Sequence, residues 1–190
     1  MYFPQVLKRR WLGNPSASRA MIVHVESELP CPAEKVWDEV QRSSLLLEVI
    51  RPLVKLVPVD APHFPERWVE GATVRCRSYL FGVLPLGTRT IFLERIDWAA
   101  REIQSRERDP LIRRWDHRVR VWPAGEGRAR YSDEIAVEAG WLTSLAWLFA
   151  QGFYRHRHRR WRHVASRLAP SPEQTSCIPA GKSKPANLGA

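Results

Sequence analysis

The sequence predicts an α+β domain: a seven-stranded curved antiparallel sheet, two short helices after the first strand, and a long C-terminal helix held by the sheet. Three observations carry this. Seven segments have strand chemistry, and 21–29 and the pair 114–122 and 128–138 alternate apolar with polar residues, the period of half-buried strands. Short turn-forming stretches join most of them, as in a meander of hairpins. Past Gly140 the apolar period changes from that of a strand to that of a helix.

The first strand covers 21–29, and Pro30-Cys31-Pro32 stops it. A short helix follows at 33–41, with Pro32 near its first turn and Val36, Trp37 and Val40 on one face. Ser43 and Ser44 are placed to cap a second short helix that reaches Ile50, and Pro52 ends it. Six strands are expected at 53–59, 72–81, 88–97, 101–108, 114–122 and 128–138. The stretches 82–87, 97–100 and 123–127 suit hairpin turns, while Pro58, Pro62 and Pro65 loosen the chain before Gly71. The long helix runs over 142–168, about 27 residues and therefore about 40 Å. Ala146, Phe149, Ala150, Phe153, Trp161, Val164 and Leu168 share one broad side of it. Residues 1–20 lack periodicity and read as a poorly ordered extension ahead of Met21. The Pro-, Ser-, Gly- and Lys-rich stretch 169–190 reads as a disordered tail, leaving 21–168 as the folded domain.

The hairpin from Arg114 to Val137 is the most informative local feature. With a turn at 123–127, Trp122 pairs with Arg128, Val119 with Tyr131, and His117 with Asp133. Period-2 patterning points Trp115, His117, Val119, Tyr131, Asp133 and Ile135 toward the core. It leaves Arg114, Asp116, Arg118, Arg120, Arg130, Ser132 and Glu134 on the wet face. An imidazole and a carboxylate thus share the apolar side.

Composition excludes several function classes. The chain has 190 residues, 44% of them hydrophobic and nine of them Trp, enough for one sizeable core. Cys31, Cys76 and Cys177 are far apart and show neither zinc-ligand spacing nor a disulfide framework, which suits a reducing cytoplasm. No metal or cofactor is implied, and the glycines of 82–87 lack the strand-to-helix context of a phosphate loop. The net charge of +10 invites a nucleic-acid reading, but it is unevenly spread. Residues 21–138 hold 18 Arg and Lys against 19 Asp and Glu, a balance of −1, so the excess belongs to the ends of the chain. A phosphate-reading groove needs it on the folded platform, and no specific nucleic-acid partner is expected.

Three stretches carry a family resemblance. Val25-Glu-Ser-Glu-Leu-Pro-Cys-Pro-Ala-Glu-Lys-Val-Trp37 runs a strand into a proline-led helix. Arg114-Trp-Asp-His-Arg-Val119 and Tyr131-Ser-Asp-Glu-Ile135 form the hairpin, and Phe153-Tyr-Arg-His-Arg-His-Arg-Arg-Trp161 lies on the last helix. With the element order, these resemble the START-related helix-grip superfamily, which includes polyketide cyclase/dehydrase-type proteins and lipid carriers. The resemblance covers about 21–168 and implies a helix-grip fold with a cavity between sheet and helix. It implies binding or transport of a hydrophobic or amphipathic small molecule (a lipid, an isoprenoid or a polyketide-like compound). The alternative is a cyclase or dehydratase that uses His117 and Asp133 as an acid/base pair.

The expected lining is Trp115, His117, Val119, Tyr131, Asp133, Ile135, Phe149, Phe153 and Arg157. A carboxylate that orients an imidazole is how a general base is built, yet the same pair also serves as mutual satisfaction of two buried groups or as polar contacts to a ligand. Arg157 can reach the cavity mouth or Asp133, or run its stem along the sheet edge with its head in water. The remaining basic residues of the helix, among them Arg155, His156, His158, Arg159 and Arg160, read as an outward charged face. Together with Trp141 and Leu148, this basic end suits peripheral contact with an anionic membrane; a plain solvated face or a dimer patch fits the same residues.

Overall fold

A computed structural model describes residues 20–169. The extension and tail expected at the two ends therefore lie almost wholly outside the described residues. Seven strands form one antiparallel sheet in the order β1-β7-β6-β5-β4-β3-β2. They are β1 (Met21–Leu29), β2 (Val54–Pro58), β3 (Thr73–Leu80), β4 (Leu84–Asp97), β5 (Glu102–Arg108), β6 (Arg114–Pro123) and β7 (Ala129–Glu138). Two short helices, α1 (Ala33–Val40) and α2 (Ser43–Val49), separate β1 from β2, and a 3₁₀ turn at Gly140–Leu142 leads into the long helix α3 (Thr143–Leu168). This is the helix-grip arrangement. Strands β2 to β7 form the meander, and β1 closes the far edge by pairing with β7 from Met21↔Val137 to Leu29↔Ala129.

The strands differ from expectation where turn chemistry decides. β4 begins at Leu84 because the β3–β4 connection is only 81–83, with Phe81 and Gly82 at positive φ and Leu80 paired with Leu84. The residues read as a turn at 84–87 are strand. Ser43 does not cap α2: Arg42 holds the N-cap position without a side-chain hydrogen bond, and the Ser43 hydroxyl donates to the Pro65 carbonyl at 2.6 Å. That bond fastens the loop ahead of β3 to the helix start.

The β6–β7 register is two residues away from the expected one. Trp122 pairs with Arg130, Val119 with Asp133, and His117 with Ile135. Pro123 pairs with Ala129, so the loop is 124–128, closed by the Ala124 amide donating to the Arg128 carbonyl at 3.1 Å. A two-residue slip keeps every side chain on its face, whereas a slip of one would have turned the set inside out. His117 and Asp133 are accordingly diagonal neighbours and both point inward.

The outer face is drier than its composition suggests. Asp116, Arg118 and Ser132, expected in water, are buried. Arg106 and Arg114 both reach Asp116, and Arg118 holds Glu134 at 2.8 Å. Long guanidinium stems laid across adjacent strands cover the sheet and pair charge with charge as they do so.

Helix α3 packs along β1 and β7 rather than over the middle of the sheet. Its apolar side splits the core into two clusters. Trp161, Val164 and Ala165 join Leu29, Val36 and Tyr131 in one, while Ala150 and Tyr154 join Val23, Trp115 and Ile135 in the other. Burial predicts opposite outcomes for two tryptophans of this segment. Trp161 is 1% exposed and Trp141 is 91% exposed. In urea unfolding monitored by circular dichroism, Trp161→Ala is expected to lose about 3–5 kcal/mol, and Trp141→Ala no more than about 0.5 kcal/mol.

Candidate functional site

A polar layer separates the two apolar clusters, and each element contributes to it at the same height. On β7, Asp133 lies between Tyr131 and Ile135; on β6, His117 lies between Trp115 and Val119; on α3, Arg157 and His158 lie between Tyr154 and Trp161. Alternation on the strands and one helical turn on α3 bring these groups together.

Asp133, fully buried, is the centre. Its Oδ1 accepts from His117 Nε2 at 2.8 Å and from the Tyr131 hydroxyl at 2.9 Å. Its Oδ2 accepts from His158 Nε2 at 3.1 Å, and the Arg157 Nε lies 3.7 Å away. Arg157 Nη2 donates to the Tyr131 oxygen at 3.0 Å, and Ser27 Oγ is 2.8 Å from His158 Nδ1. Burial alone would push the Asp133 carboxyl up, but the Arg157 charge and the two imidazoles outweigh it and hold the group well below the usual carboxylate range. Burial pushes the Tyr131 and Tyr154 phenols up, so both stay protonated.

The contact to Asp133 fixes a proton on His117 Nε2 and leaves Nδ1 as the other working nitrogen. Nδ1 is 3.9 Å from Glu107 Oε1. Glu107 is itself held by Arg89 at 3.2 Å, and Arg89 also holds Asp109 at 2.8 Å while its guanidinium lies 5.0 Å from the centre of the Trp115 ring. His117 thus stands between two carboxylates.

Beside this layer is a cavity of about 110 Å³. The sheet supplies Ile91, Leu93, Ile103 and Val119, α2 closes one side with Leu45 and Leu46, and α3 lays Phe149 and Phe153 across it. The polar end carries Ser105, Glu107, His117, Tyr154, Arg157 and Arg89. Six of the residues expected to line it do so: Trp115, His117, Val119, Phe149, Phe153 and Arg157. Tyr131, Asp133 and Ile135 do not, because α3 lies directly on β7 and covers them.

Of the settings read for Arg157, the structure shows the one toward Asp133: it is buried against Tyr131 and Asp133 and does not run its head into water, whereas His158 belongs to the inner network, not to the outward charged face. Sequence reasoning missed Arg89, Glu107 and Tyr154. Tyr154 follows Phe153 and precedes Arg157 by three, a helical-face signal; Arg89 sits on a strand with apolar residues at both parities, and Glu107 on one whose single apolar residue is Ile103. Among the described residues, no three His, Cys, Asp or Glu side chains are grouped to hold a metal ion. Two hydroxyls of the wall are underused. Tyr154 accepts from Trp115 Nε1 at 3.1 Å with no described acceptor for its own proton, and the buried Ser78 hydroxyl has no described partner.

Comparison with known proteins places this geometry in a wider setting. A search of curated proteins gives no match. Solved structures share the helix-grip fold. An aromatase/cyclase, Zhui, from Streptomyces sp. R1128 superposes with a TM-score of 0.59 at 14% identity, over 78% of this chain and 94% of that one. A START superfamily protein from Mycobacterium smegmatis gives 0.57 at 14% identity, over 78% and 99%. Norcoclaurine synthase from Thalictrum flavum, with dopamine and hydroxybenzaldehyde bound, gives 0.56 at 13% identity, over 80% and 90%. At these identities the likeness is one of fold. The family match is direct: a family described as "Domain of unknown function (DUF8410)" matches residues 27–165, and the chain belongs to that family.

Proposed function

We propose that the protein binds a small amphipathic molecule in the cavity between sheet and α3, apolar body against Ile91, Leu93, Val119 and Phe153, and polar end against the Tyr154–His117–Arg157 side. The observation that supports this reading best is the joining, in one cavity, of an apolar wall to O–H donors that have no acceptor among the described residues. Buried polar groups ordinarily find partners, so Ser78 and Tyr154 call for an oxygen acceptor such as a carbonyl or phenol. The charge of the Arg157 guanidinium is balanced by Asp133 and its Nη2 is spent on Tyr131, although its buried Nε has no hydrogen-bond partner among the described residues; that of Arg89 is held by Glu107 and Asp109. A neutral polar end therefore suits the site better than a carboxylate or phosphate, the headgroups that a free arginine would have favoured.

Size narrows the ligand further. Drug-sized ligands take pockets of roughly 300–1,000 Å³, and an apolar cavity of about 150 Å³ holds benzene. The cavity at about 110 Å³ fits one ring or its aliphatic equivalent; a lipid or multi-ring polyketide would extend through the mouth.

A second reading has its own support. His117 lines the cavity with Nε2 on Asp133 and Nδ1 near Glu107, an arrangement suited to moving a proton to or from a bound carbonyl compound, as a cyclase or dehydratase requires. Two of the structurally similar proteins are, by name, an aromatase/cyclase and a synthase.

Mass spectrometry of the compound that copurifies with the protein tests the first reading. That compound is expected to be a small ring or short-chain molecule with a neutral oxygen function, and Val119→Phe, which fills the cavity, should weaken its binding about tenfold or more. Undiminished binding to Val119→Phe would remove the cavity as the site. His117→Ala separates the two readings: a binding protein returns the compound chemically unchanged with or without the imidazole, whereas an enzyme converts it only with His117 present.

Asp133 should act on stability whichever reading holds. Its folded-state pKa is depressed, so its contribution is complete above the ordinary carboxylate value of 3.8 and is lost as pH falls from there toward the folded value. Asp133→Asn is expected to cost about 3–5 kcal/mol at neutral pH because it leaves Arg157 without its buried counter-charge. In denaturant melts the difference from the parent should shrink below about pH 4.

A further inference from the structure

One end of the sheet carries an apolar rim that the cavity does not account for. Antiparallel pairing brings the end of β3, the start of β4, the β5–β6 loop and the start of α3 to that end. The β3–β4 hairpin exposes Phe81, Val83 and Leu84, the β5–β6 loop exposes Leu111, and the 3₁₀ turn with the start of α3 exposes Trp141, Leu145 and Leu148, each more than half accessible. These segments touch. A Cβ on Gly87 would meet the Pro110 ring at 3.2 Å, and one on Gly140 would lie 3.9 Å from the Arg113 guanidinium. The Arg113 amide also donates to the Glu138 carbonyl at 2.9 Å. Phe149, 39% exposed, belongs both to this rim and to the cavity wall.

The exposed charge around the rim is positive. Arg51, Lys55, Arg108 and Arg113 are exposed. The acids of the same end are withdrawn: Arg89 holds Glu107 and Asp109, and Glu138 is half-buried. Glu48, next to Arg51 on α2, is taken by Arg167 at 2.7 Å. Along α3, Arg155 is 14 residues beyond Trp141, about 21 Å along the axis, but the helix crosses the sheet so that His156 Nε2 lies 2.7 Å from the Arg51 carbonyl and Arg160 lines a hollow with Arg51 and Lys55. The rim's own cations come from the α2–β2 connection, β2, the end of β5 and the β5–β6 loop, with the basic part of α3 beside the first two.

We propose that this rim docks on an anionic lipid bilayer, with the apolar tips in the interface, the four cations at the headgroups, and the cavity mouth facing the membrane. Large apolar side chains beside cations that have no ion pair among the described residues fit that partner by burial and by charge. A second copy of the chain fits poorly, because a two-fold contact through the rim would set like charges against one another. Apart from Phe149, the rim residues do not line the ligand site, so membrane binding can fail while ligand binding holds, and the reverse.

The test uses the full chain and co-sedimentation with two kinds of vesicle, phosphatidylcholine alone and an equal mixture with phosphatidylglycerol. The parent protein is expected to partition onto the mixed vesicles and to do so less as salt rises. Trp141→Ser, Val83→Ser and Leu111→Ser, one from each segment, should each lower partitioning by roughly tenfold, and Lys55→Glu with Arg113→Glu should remove the preference for the anionic lipid. All five positions are exposed, and thermal melts equal to the parent's would show the fold intact. Three results would overturn the proposal. One is failure of the parent to bind mixed vesicles. Another is parent-like binding by all the rim variants, the mark of attachment through the basic ends of the chain. The third is a vesicle-free dimer that Trp141→Ser dissociates, which assigns the rim to a second copy.

Discussion

The fold depends on the satisfaction of one carboxylate. Asp133 is wholly enclosed, and a buried charge without partners costs several kcal/mol. It is tolerable because four different elements send it donors or their supports: His117 from β6, Tyr131 from β7 itself, Arg157 and His158 from α3, and Ser27 from β1 behind His158. Each of those contacts requires its element to be at one height relative to the others. The network therefore fixes the axial position of α3 on the sheet, which apolar packing above and below it leaves free to slide.

That fixing has a consequence for the cavity. Helix α3 is drawn onto β1 and β7, where the carboxylate and its partners are, so the middle strands are not covered by it. The space over β3 to β6 is closed instead by α2 and by the aromatic side chains Phe149 and Phe153, and what they do not fill is the cavity. The grip is thus asymmetric. One side of the sheet face is a packed interface with a polar centre, and the other is a chamber that borrows one edge of that centre for its polar end. His117 belongs to both: its ring is held from the β7 side and is presented to the chamber.

Much of this was legible in the sequence, and the parts that were not have physical reasons. Alternation settled the inward set on β6 and β7 because parity is robust: the true register differs by two residues, and Asp133 and His117 still meet. Pairing alone was not recoverable, since the 123–128 stretch permits more than one turn. Arg157 and His158 were harder. Charged and basic residues favour water, and only the position of Asp133 on another element makes their burial worthwhile. Arg118 and Asp116 went wrong for the same reason on the outer face. Arg89 and Glu107 had no signal of their own, because β4 carries apolar residues on both sides and β5 has a single apolar residue, Ile103, too little to mark an inward face.

The chamber's polarity also limits what it can hold. Two guanidinium groups, Arg89 and Arg157, stand against three carboxylates, Glu107, Asp109 and Asp133, and each arginine is already paired. An incoming anion would have to displace one of these carboxylates or sit uncompensated in a dry site, and either course costs more than a contact returns. An incoming cation would meet a fixed arginine at the same wall. A neutral molecule avoids both costs, takes the unspent O–H donors of Ser78 and Tyr154, and leaves the network that positions α3 undisturbed. On the proposed function, the charges that hold the helix in place would also disfavour charged ligands, so the determinant of the fold and the determinant of specificity would be the same group of side chains.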